Sequence, residues 1–368
     1  MDKFSLDTPC LILDKSLLLK NLSMMQKEAA SKNKQVRPHI KTHKCTQLAK
    51  LQINQGATGV SAAKLGEVEQ LVATGISGLL ITSPIVSKIK IDRLIKCLKI
   101  DSTIMLIVDS HDNALQLNQA AKEANLAINV LVDIDPGVGR TGVPYDKALD
   151  LGAFINHQTH LKLKGIQCYA GNLQHIKDYE TRNKSSTEVM SKAASVVKTL
   201  KQHNLPCEIL TGSGTGTYEI DCNIPEITEI QPGSYAVMDM EYYAIGTKKD
   251  VNHFNTFLPA MTMLVSVISA NHSTHVTVDA GTKSLYFDPI TKPKIISHPG
   301  LEYHWGGFGD EHGKIIAQTT TKLPKIGETI ELIVPHCDPT INLFDKFYIV
   351  ENNQVIDEWP IDMRGKSQ

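Results

Sequence analysis

The stretch Arg37-Pro38-His39-Ile40-Lys41-Thr42-His43-Lys44 decides how the chain is organised. It stands between a short strand-like run and the helix-like residues 45–54. In α/β proteins, ligands bind at the carboxyl ends of strands and in the loops that follow them. The surrounding cations favour the neutral form of the Lys41 amine, which is then a nucleophile toward a carbonyl compound. A solvated basic turn and a phosphate-binding patch are the alternative interpretations.

Strand-like and helix-like segments alternate outward from this stretch. The predicted strands cover residues 36–40, 57–62, 78–82, 104–108, 128–134, 163–169, 207–210 and 227–230. The predicted helices cover residues 15–31, 46–55, 65–73, 88–99, 113–124, 145–156 and 179–203. Strands separated by helices in this way favour a parallel (β/α)8 barrel of the TIM type over a sandwich. An open, doubly wound sheet with a similar number of strands is the alternative.

The pattern changes after about residue 249. Short β-rich runs follow, and Asn352-Asn353 is a turn-forming pair between the last two; the runs are residues 261–269, 275–278, 315–320, 329–334, 347–350 and 354–359. We therefore predict an α/β protein with two domains. A (β/α)8 barrel covers residues 14–249. A mostly antiparallel β domain covers residues 250–368 and also includes the strand at residues 4–13.

The composition limits the possible partners and location. The chain has 368 residues, 42% hydrophobic and 21% charged, with a net charge of -1, so neither nucleic acid nor an anionic membrane is an expected partner. The first residues lack a signal-peptide pattern, and no apolar run approaches the length of a membrane span. Seven cysteines, none in a CxxC pair, are typical of thiols in a reducing compartment. These features predict a cytoplasmic protein.

Two loops at predicted strand ends carry candidate site residues. The loop at residues 133–142 contains glycines that let the backbone approach a ligand, and its Arg140 can pair with a carboxylate or phenolate oxygen. After the next strand, Tyr169 can face an aromatic ligand, and His175 can act as a general base near neutral pH. The alternatives are a glycine-rich turn with a surface arginine, and a hydrogen-bonded structural histidine.

Small residues cluster after the seventh strand, in Thr211-Gly212-Ser213-Gly214-Thr215-Gly216-Thr217. Their N–H groups and hydroxyls suit a phosphate group, which the loops after strands seven and eight of such barrels often bind. Gln231-Pro232-Gly233-Ser234 supplies a second backbone contact at the eighth strand. The loop lacks both the dinucleotide-binding G-x-G-x-x-G pattern with its acidic residue and the P-loop lysine, which disfavours nicotinamide dinucleotides and nucleoside triphosphates.

The β domain contains a candidate metal site in Pro335-His336-Cys337-Asp338-Pro339-Thr340. If this segment is extended, His336 and Asp338 point to one side and Cys337 to the other. Mixed nitrogen and oxygen ligands favour Mn²⁺ or Mg²⁺, with Zn²⁺ also possible. A buried hydrogen bond between histidine and aspartate is the alternative. His304, Trp305 and His312 add a histidine-rich neighbourhood without a clear spacing.

Taken together and in this order, RPHIKTHK, DIDPGVGRTGV, GIQCYAGNLQH, TGSGTGT, QPGSY and HCDPT resemble the D-threonine aldolase and D-serine dehydratase family. This family is related to alanine racemase and has the fold-type III pyridoxal phosphate architecture. The resemblance implies that Lys41 binds the cofactor covalently and that Arg140 and Tyr169 lie against its ring. It implies a phosphate site formed by Gly214, Thr215, Gly233 and Ser234. Gln231 stands where alanine racemases have an arginine facing the ring nitrogen.

The resemblance also implies the activity. His336-x-Asp338 is similar to the pattern of the D-threonine aldolases, which use Mn²⁺ or a similar ion, whereas the dehydratases have H-x-C with zinc. We therefore expect cleavage of a D-3-hydroxy amino acid to glycine and an aldehyde, with His175 taking the hydroxyl proton. A dehydratase, a racemase and a non-catalytic carrier of the cofactor are the alternatives. The family resemblance further implies a homodimer with a shared active site.

Overall fold

The computed structural model describes residues 1–305, 308–318 and 321–368. The chain forms two compact units. The barrel unit consists of Met25–Lys41, Leu48–Gly233 and Gly365–Gln368; the β unit consists of Met1–Met24, Thr42–Gln47 and Ser234–Arg364. The domain limits predicted from the sequence, 14–249 for the barrel and 250–368 with the strand at 4–13 for the β domain, stay a prediction.

In the described residues the strands are, in chain order, β1 (Cys10–Asp14), β2 (Gln35–Val36), β3 (Val60–Ala62), β4 (Leu79–Ile81), β5 (Met105–Val108), β6 (Ile128–Ile134), β7 (Leu161–Cys168), β8 (Ile209–Gly212), β9 (Glu229–Ile230), β10 (Met261–Ser269), β11 (His275–Val278), β12 (Lys294–Ile295), β13 (Leu301–His304), β14 (Gly313–Ala317), β15 (Thr329–Ile333), β16 (Lys346–Glu351) and β17 (Gln354–Pro360).

The α-helices of the same residues are α1 (Lys15–Ser31), α2 (Thr46–Asn54), α3 (Leu65–Ala73), α4 (Lys88–Ile100), α5 (His111–Glu123), α6 (Ala148–Asn156), α7 (Tyr179–Gln202), α8 (Tyr218–Asp221), α9 (Met240–Tyr243) and α10 (Cys337–Ile341). Short 3-10 helices lie at Lys3–Ser5, Tyr145–Lys147, Gly171–Leu173 and Ser234–Ala236. None of these helices is long and apolar enough to cross a membrane.

The barrel unit contains a parallel sheet in the order β2-β9-β8-β7-β6-β5-β4-β3. Hydrogen bonds join the two ends of this order: Ser61 N–H donates to the Pro38 carbonyl (2.8 Å), and Ile40 N–H donates to the Ser61 carbonyl (2.9 Å). Strands β4 and β5 are buried along their whole length, as expected for strands covered on both faces. The predicted (β/α)8 barrel is therefore confirmed.

The β unit contains a mixed, mostly antiparallel sheet in the order β13-β14-β11-β10-β1-β16-β17, with β15 pairing with both β10 and β12. Strand β1 is antiparallel to β10 and parallel to β16. Asn352 and Asn353 have φ values of 51° and 62°, which suit the tight turn between β16 and β17. The predicted β-rich C-terminal half is confirmed.

The sequence missed or shifted several short strands. Strands β12 and β13 were not predicted, because runs of two and four residues are too short to show a clear alternation. The run predicted at 315–320 is β14, which begins and ends earlier; residues 319 and 320 lie outside the described residues. The segment 334–338, predicted as extended, is not a strand, and its structure bears on the candidate metal site.

Candidate functional site

The predicted cofactor residues of the barrel unit all follow strands of one parallel sheet. Because the carboxyl ends of parallel strands lie at the same rim of a barrel, these residues are brought to one rim. In chain order they are Lys41 after β2, Arg140 after β6, Tyr169 and His175 after β7, Gly214 and Thr215 after β8, and Gly233 after β9.

Two basic side chains near Lys41, those of Arg37 and His39, hold neighbouring segments of the barrel unit. The buried Arg37 guanidinium donates to both carboxylate oxygens of Glu229 (2.8 and 2.9 Å), which ties β2 to β9. His39 accepts the N–H of Lys41 at Nδ1 (3.3 Å), so its Nε2 carries the proton that Thr82 Oγ1 receives at 2.9 Å. The half-buried Lys41 side chain thus follows a fixed turn.

Arg140 and Tyr169 are brought together, as expected for two residues of one site. The Arg140 guanidinium carbon lies 5.5 Å from the centre of the Tyr169 ring, a cation–π distance. Arg140 is exposed and Tyr169 is half-buried, so both side chains can be reached from solvent. His175 is half-buried and follows the 3-10 helix Gly171–Leu173. The roles predicted for these residues stay predictions.

The loop at residues 211–217 is held from behind by buried polar side chains. A β-carbon at Gly214 or Gly216 would collide with Gln174, so the glycines are required by packing as well as by any ligand. Gln174 Oε1 accepts the N–H of Gly216 (3.1 Å), and its Nε2 donates to Thr217 Oγ1 (3.1 Å). The N–H of Gly214 donates to Thr217 Oγ1 at 3.3 Å. The phosphate-binding roles of Gly214 and Thr215 stay predictions.

A buried chain of amides inside the barrel was not anticipated from the sequence. Gln231 Nε2 donates to Thr211 Oγ1 (2.9 Å) and to Gln167 Oε1 (3.2 Å), and Gln167 Nε2 donates to Asp133 Oδ1 (3.1 Å). Thr141 Oγ1 donates to the other oxygen of Asp133 at 2.8 Å. An ionised carboxylate only accepts hydrogen bonds, so it fixes which end of each amide points toward it. Gln231 therefore directs its NH2 group into this chain.

Burial raises the pKa of Asp133 to about 6, although the hydrogen bonds from Thr141 and Gln167 lower it. The nearby Asp109 raises the pKa further, and Arg140 lowers it. The signal for this residue was present in the sequence: Asp133 is the one acidic residue in the apolar run of β6. A single acidic side chain in a buried strand needs hydrogen-bond donors, because burying it without them costs free energy. Such a residue therefore indicates a buried polar network.

The candidate metal segment begins a helix, which corrects the expected extended geometry. His336 has extended backbone angles and precedes α10, which starts at Cys337. Pro339 lies in the first turn, where its missing N–H is not needed, and Asp338 suits the amino-terminal end of a helix. The strand alternation that was to separate Cys337 from His336 and Asp338 is therefore wrong. Only the structure decides which side chains converge here.

The His336 ring is held by carboxylates. Its Nδ1 lies 2.9 Å from Asp239 Oδ2 and 3.1 Å from Glu241 Oε2. Burial lowers the pKa of His336, but Asp239, Asp338 and Glu241 raise it by more, to about 9. A carboxylate on one ring nitrogen is typical of carboxylate–histidine–metal arrangements, in which the other ring nitrogen binds the ion. The surrounding negative charge suits a cation.

Asp239, His336 and Cys337 form the candidate metal cluster of the described residues, with ligand atoms within 4.8 Å of one another. Asp239 is largely committed, since Oδ1 accepts the N–H of Tyr242 (2.8 Å) and Oδ2 also accepts the N–H of Cys337 (2.9 Å). Burial, then Asp239 and Asp338, raise the pKa of the Cys337 thiol well above its ordinary value. We therefore assign Asp239 an orienting role and regard Cys337 as a protonated thiol.

Asp338 lies next to this cluster. Its Oδ1 accepts hydrogen bonds from Ser234 Oγ (3.3 Å) and Cys337 Sγ (3.4 Å). Ser234, predicted as a phosphate residue, therefore contacts Asp338, predicted as a metal ligand. Asp239 was missed by the sequence analysis, although an aspartate before Met240-Glu241-Tyr242-Tyr243 is a recognisable helix cap.

Comparison with known proteins identifies the family. The family model "Alanine racemase, N-terminal domain" matches residues 13–241, and the model "Putative serine dehydratase domain" matches residues 260–350. D-threonine aldolase of an Arthrobacter species is 34% identical over 98% of this chain and 94% of that protein. A 3-hydroxy-D-aspartate aldolase of Paracoccus denitrificans is 32% identical over 100% of this chain and 94% of that protein.

A solved structure agrees with these matches. The crystal structure of D-threonine aldolase from Filomicrobium marinum has 34% identity and a TM-score of 0.91, and the match covers 98% of this chain and 95% of that one. The chain therefore belongs to the alanine racemase-like, fold-type III pyridoxal phosphate family, in its D-threonine aldolase and D-serine dehydratase group. Membership implies an enzyme that uses pyridoxal phosphate and acts on an amino acid.

Proposed function

We propose that this protein is a pyridoxal phosphate- and divalent metal-dependent aldolase. It cleaves D-3-hydroxy amino acids such as D-threonine and D-allo-threonine to glycine and an aldehyde. The observation that carries the proposal is the environment of His336, whose Nδ1 lies between two carboxylates and which is followed two residues later by Asp338. The names of the relatives, a D-threonine aldolase and a 3-hydroxy-D-aspartate aldolase, support the same activity.

The residues fit both cofactors by the chemistry of their donor groups. Lys41 supplies an amine for the aldehyde, Arg140 and Tyr169 supply a cation and an aromatic surface, and the loops with Gly214, Thr215, Gly233 and Ser234 supply small residues for the phosphate. His336, through Nε2, and Asp338 hold a hard divalent ion, Mn²⁺ or Mg²⁺ in preference to Zn²⁺.

The reaction requires one proton to leave the substrate and one to return. His175 takes the proton of the 3-hydroxyl group, the bond between Cα and Cβ breaks, and the aldehyde is released as its C=O bond forms. The carbon left behind takes up a proton and becomes the Cα of glycine. Pyridoxal phosphate supplies an electron sink for the pair of electrons of the broken bond, and the divalent ion lowers the pKa of a bound hydroxyl.

The test is a product assay with the protein, pyridoxal phosphate and D-threonine, in Mn²⁺ or in EDTA. We expect glycine and acetaldehyde in Mn²⁺ and neither product in EDTA. Asp338→Asn should abolish the Mn²⁺-dependent rate, because the ion loses an anionic ligand. The matched control is Asp92→Asn, which removes an exposed carboxylate paired with Lys88 on α4 and should leave the rate unchanged.

A dehydratase is the second candidate, because the serine dehydratase family model matches residues 260–350. A dehydratase would release ammonia and 2-oxobutanoate from D-threonine. Detection of these products in place of glycine and acetaldehyde would reject the aldolase and show that His336-x-Asp338 does not determine the reaction. The predicted homodimer is tested separately, by measuring the molar mass in solution.

A further inference from the structure

Asp221, at the end of α8, is a buried carboxylate that has no part in the reaction described above. It is 1% exposed and lies directly behind the loop at residues 211–217, hereafter the glycine loop. Its Oδ1 accepts the hydroxyl of Ser186 on α7 (2.6 Å), and its Oδ2 accepts the hydroxyl of Ser213 (2.7 Å). Ser213 belongs to the glycine loop.

Ser213 needs this support because of its backbone conformation. It has a φ of 63°, in the left-handed region that residues other than glycine, asparagine and aspartate seldom adopt. Such a conformation persists only where the surroundings hold it. The bond from Ser213 Oγ to Asp221 is the contact that holds it from the side of α8.

Further contacts restrict the glycine loop. Gly214 and Gly216 pack against Gln174 so closely that neither could carry a β-carbon. Arg182 Nε donates to the Gly216 carbonyl at 2.8 Å, and this guanidinium is also buried. The path of the loop is therefore set by its contacts with Gln174, Arg182 and Asp221.

The direction of the hydroxyls has a consequence for ligand binding. Ser213 turns its hydroxyl toward Asp221, so this hydroxyl does not serve as a ligand of a phosphate. What the loop offers a phosphate is the placement of its backbone and of Thr215 between two glycines. A site made of backbone groups binds an anion well only when the backbone is already ordered, because ordering it on binding costs free energy.

We propose that Asp221 is a positioning residue which, through Ser213, sets the affinity of this protein for the phosphate group of pyridoxal phosphate. The proposal rests on the proposed function, since it takes the glycine loop as the phosphate site. Asp221 does not touch the ligand; it holds the loop in the conformation that receives the phosphate.

The test compares pyridoxal phosphate with pyridoxal, the same aldehyde without its phosphate, in absorbance titrations of the apoprotein. The variants are Ser213→Ala and Ser186→Ala, which each remove one short, buried hydroxyl bond to Asp221; only Ser213 lies in the glycine loop. We expect Ser213→Ala to weaken pyridoxal phosphate binding about tenfold and to change pyridoxal binding less than about twofold. Ser213→Ala and Ser186→Ala should lower the Tm by similar amounts, because each loses one buried hydrogen bond. Ser186→Ala should leave the ratio of the affinities for pyridoxal phosphate and pyridoxal unchanged.

Ser213→Gly is the second variant, in case Ser213→Ala does not fold. Glycine adopts a positive φ without strain. The affinity of the Ser213→Gly variant for pyridoxal phosphate should therefore fall between those of wild type and Ser213→Ala. An unchanged affinity ratio in both Ser213 variants, or an equal change in Ser186→Ala, overturns the proposal. So does a wild-type protein that binds pyridoxal as tightly as pyridoxal phosphate, although the aldolase activity could then still stand. Absence of D-threonine cleavage, with the affinity ratios as expected, would instead overturn the proposed function.

Discussion

The glycine loop of the barrel unit and the cluster around His336 in the β unit are both built in front of a buried aspartate. Asp221 accepts hydroxyl groups, whereas Asp239 accepts the N–H groups of Tyr242 and Cys337 and holds the imidazole of His336. In the first case the carboxylate holds the hydroxyl of Ser213 beside the loop that we propose as the phosphate site. In the second it engages Nδ1 of His336, which we propose as a metal ligand. The two carboxylates thus hold different kinds of group beside proposed sites for ligands of opposite charge.

The largest effect is expected from Lys41→Ala, which tests whether the two regions bind their cofactors independently. The variant should lose the absorbance band of the bound cofactor and more than about 10³-fold in activity, because it lacks the amine that we propose to bind the cofactor covalently. Mn²⁺ affinity, measured by calorimetry, should not change. Lys50→Ala, an exposed lysine of α2, is the control. Cofactor absorbance that survives in Lys41→Ala would show that another residue binds the aldehyde.

A third buried aspartate, Asp133, can be compared with Asp221 and Asp239 through its effect on stability. Its pKa is raised to about 6. An unfolded aspartate loses its proton near pH 4, so between about pH 4 and pH 6 the folded state holds a proton that the unfolded state has lost. Stability gained from this group is therefore present at low pH and lost as the pH rises through 6.

Denaturant titrations at several pH values test this expectation. From about pH 4 to pH 7 the free energy of unfolding of wild type should fall by about 2 to 3 kcal/mol relative to that of Asp133→Asn. An aspartate in an ion pair has the opposite effect: its contribution to the free energy of unfolding rises with pH over this range. Parallel pH profiles of wild type and variant would contradict a raised pKa for Asp133.

Asp239→Asn tests whether the buried aspartate orients His336. The variant should weaken Mn²⁺ binding about 10- to 100-fold, because the Asp239 carboxylate on Nδ1 fixes the orientation and the tautomer of the His336 ring. Glu241→Gln is the matched control: it faces the same Nδ1, but its side chain is 25% exposed while that of Asp239 is 0% exposed. We expect a loss of less than about threefold there. Equal losses in the two variants would mean that charge alone, and not orientation, supports the metal.

The smallest effect is expected from Thr340→Val. The Thr340 hydroxyl donates to the His336 carbonyl at 2.7 Å and so supports the start of α10. Loss of this bond should lower the free energy of unfolding by about 1 kcal/mol, measured in denaturant, and leave Mn²⁺ affinity within about twofold of wild type. A large loss of Mn²⁺ affinity would show that the backbone at His336, as well as the ring, must be held.

The two regions also differ in how far the sequence predicted them. The rim residues Lys41, Arg140 and Tyr169 were predicted because each follows a strand, and a parallel barrel brings all such positions to one end. His336 and Asp338 were predicted by residue type, but the strand assumed for them is a helix start at Cys337. Five residues containing a proline carry too little periodicity to distinguish these two conformations.

The sequence by itself determined the alternation of strands and helices, the change to β structure in the last third, and the candidate residues that follow the barrel strands. These follow from local periodicity and from the rule that parallel strands share a direction. The tertiary structure alone decided which carboxylates stand behind the site. Asp221 meets Ser186 from 35 residues away and Asp239 meets His336 from 97 residues away, and no local pattern encodes contacts between such distant positions. Buried polar groups must find partners wherever the fold brings them, so their roles emerge only after the chain has folded.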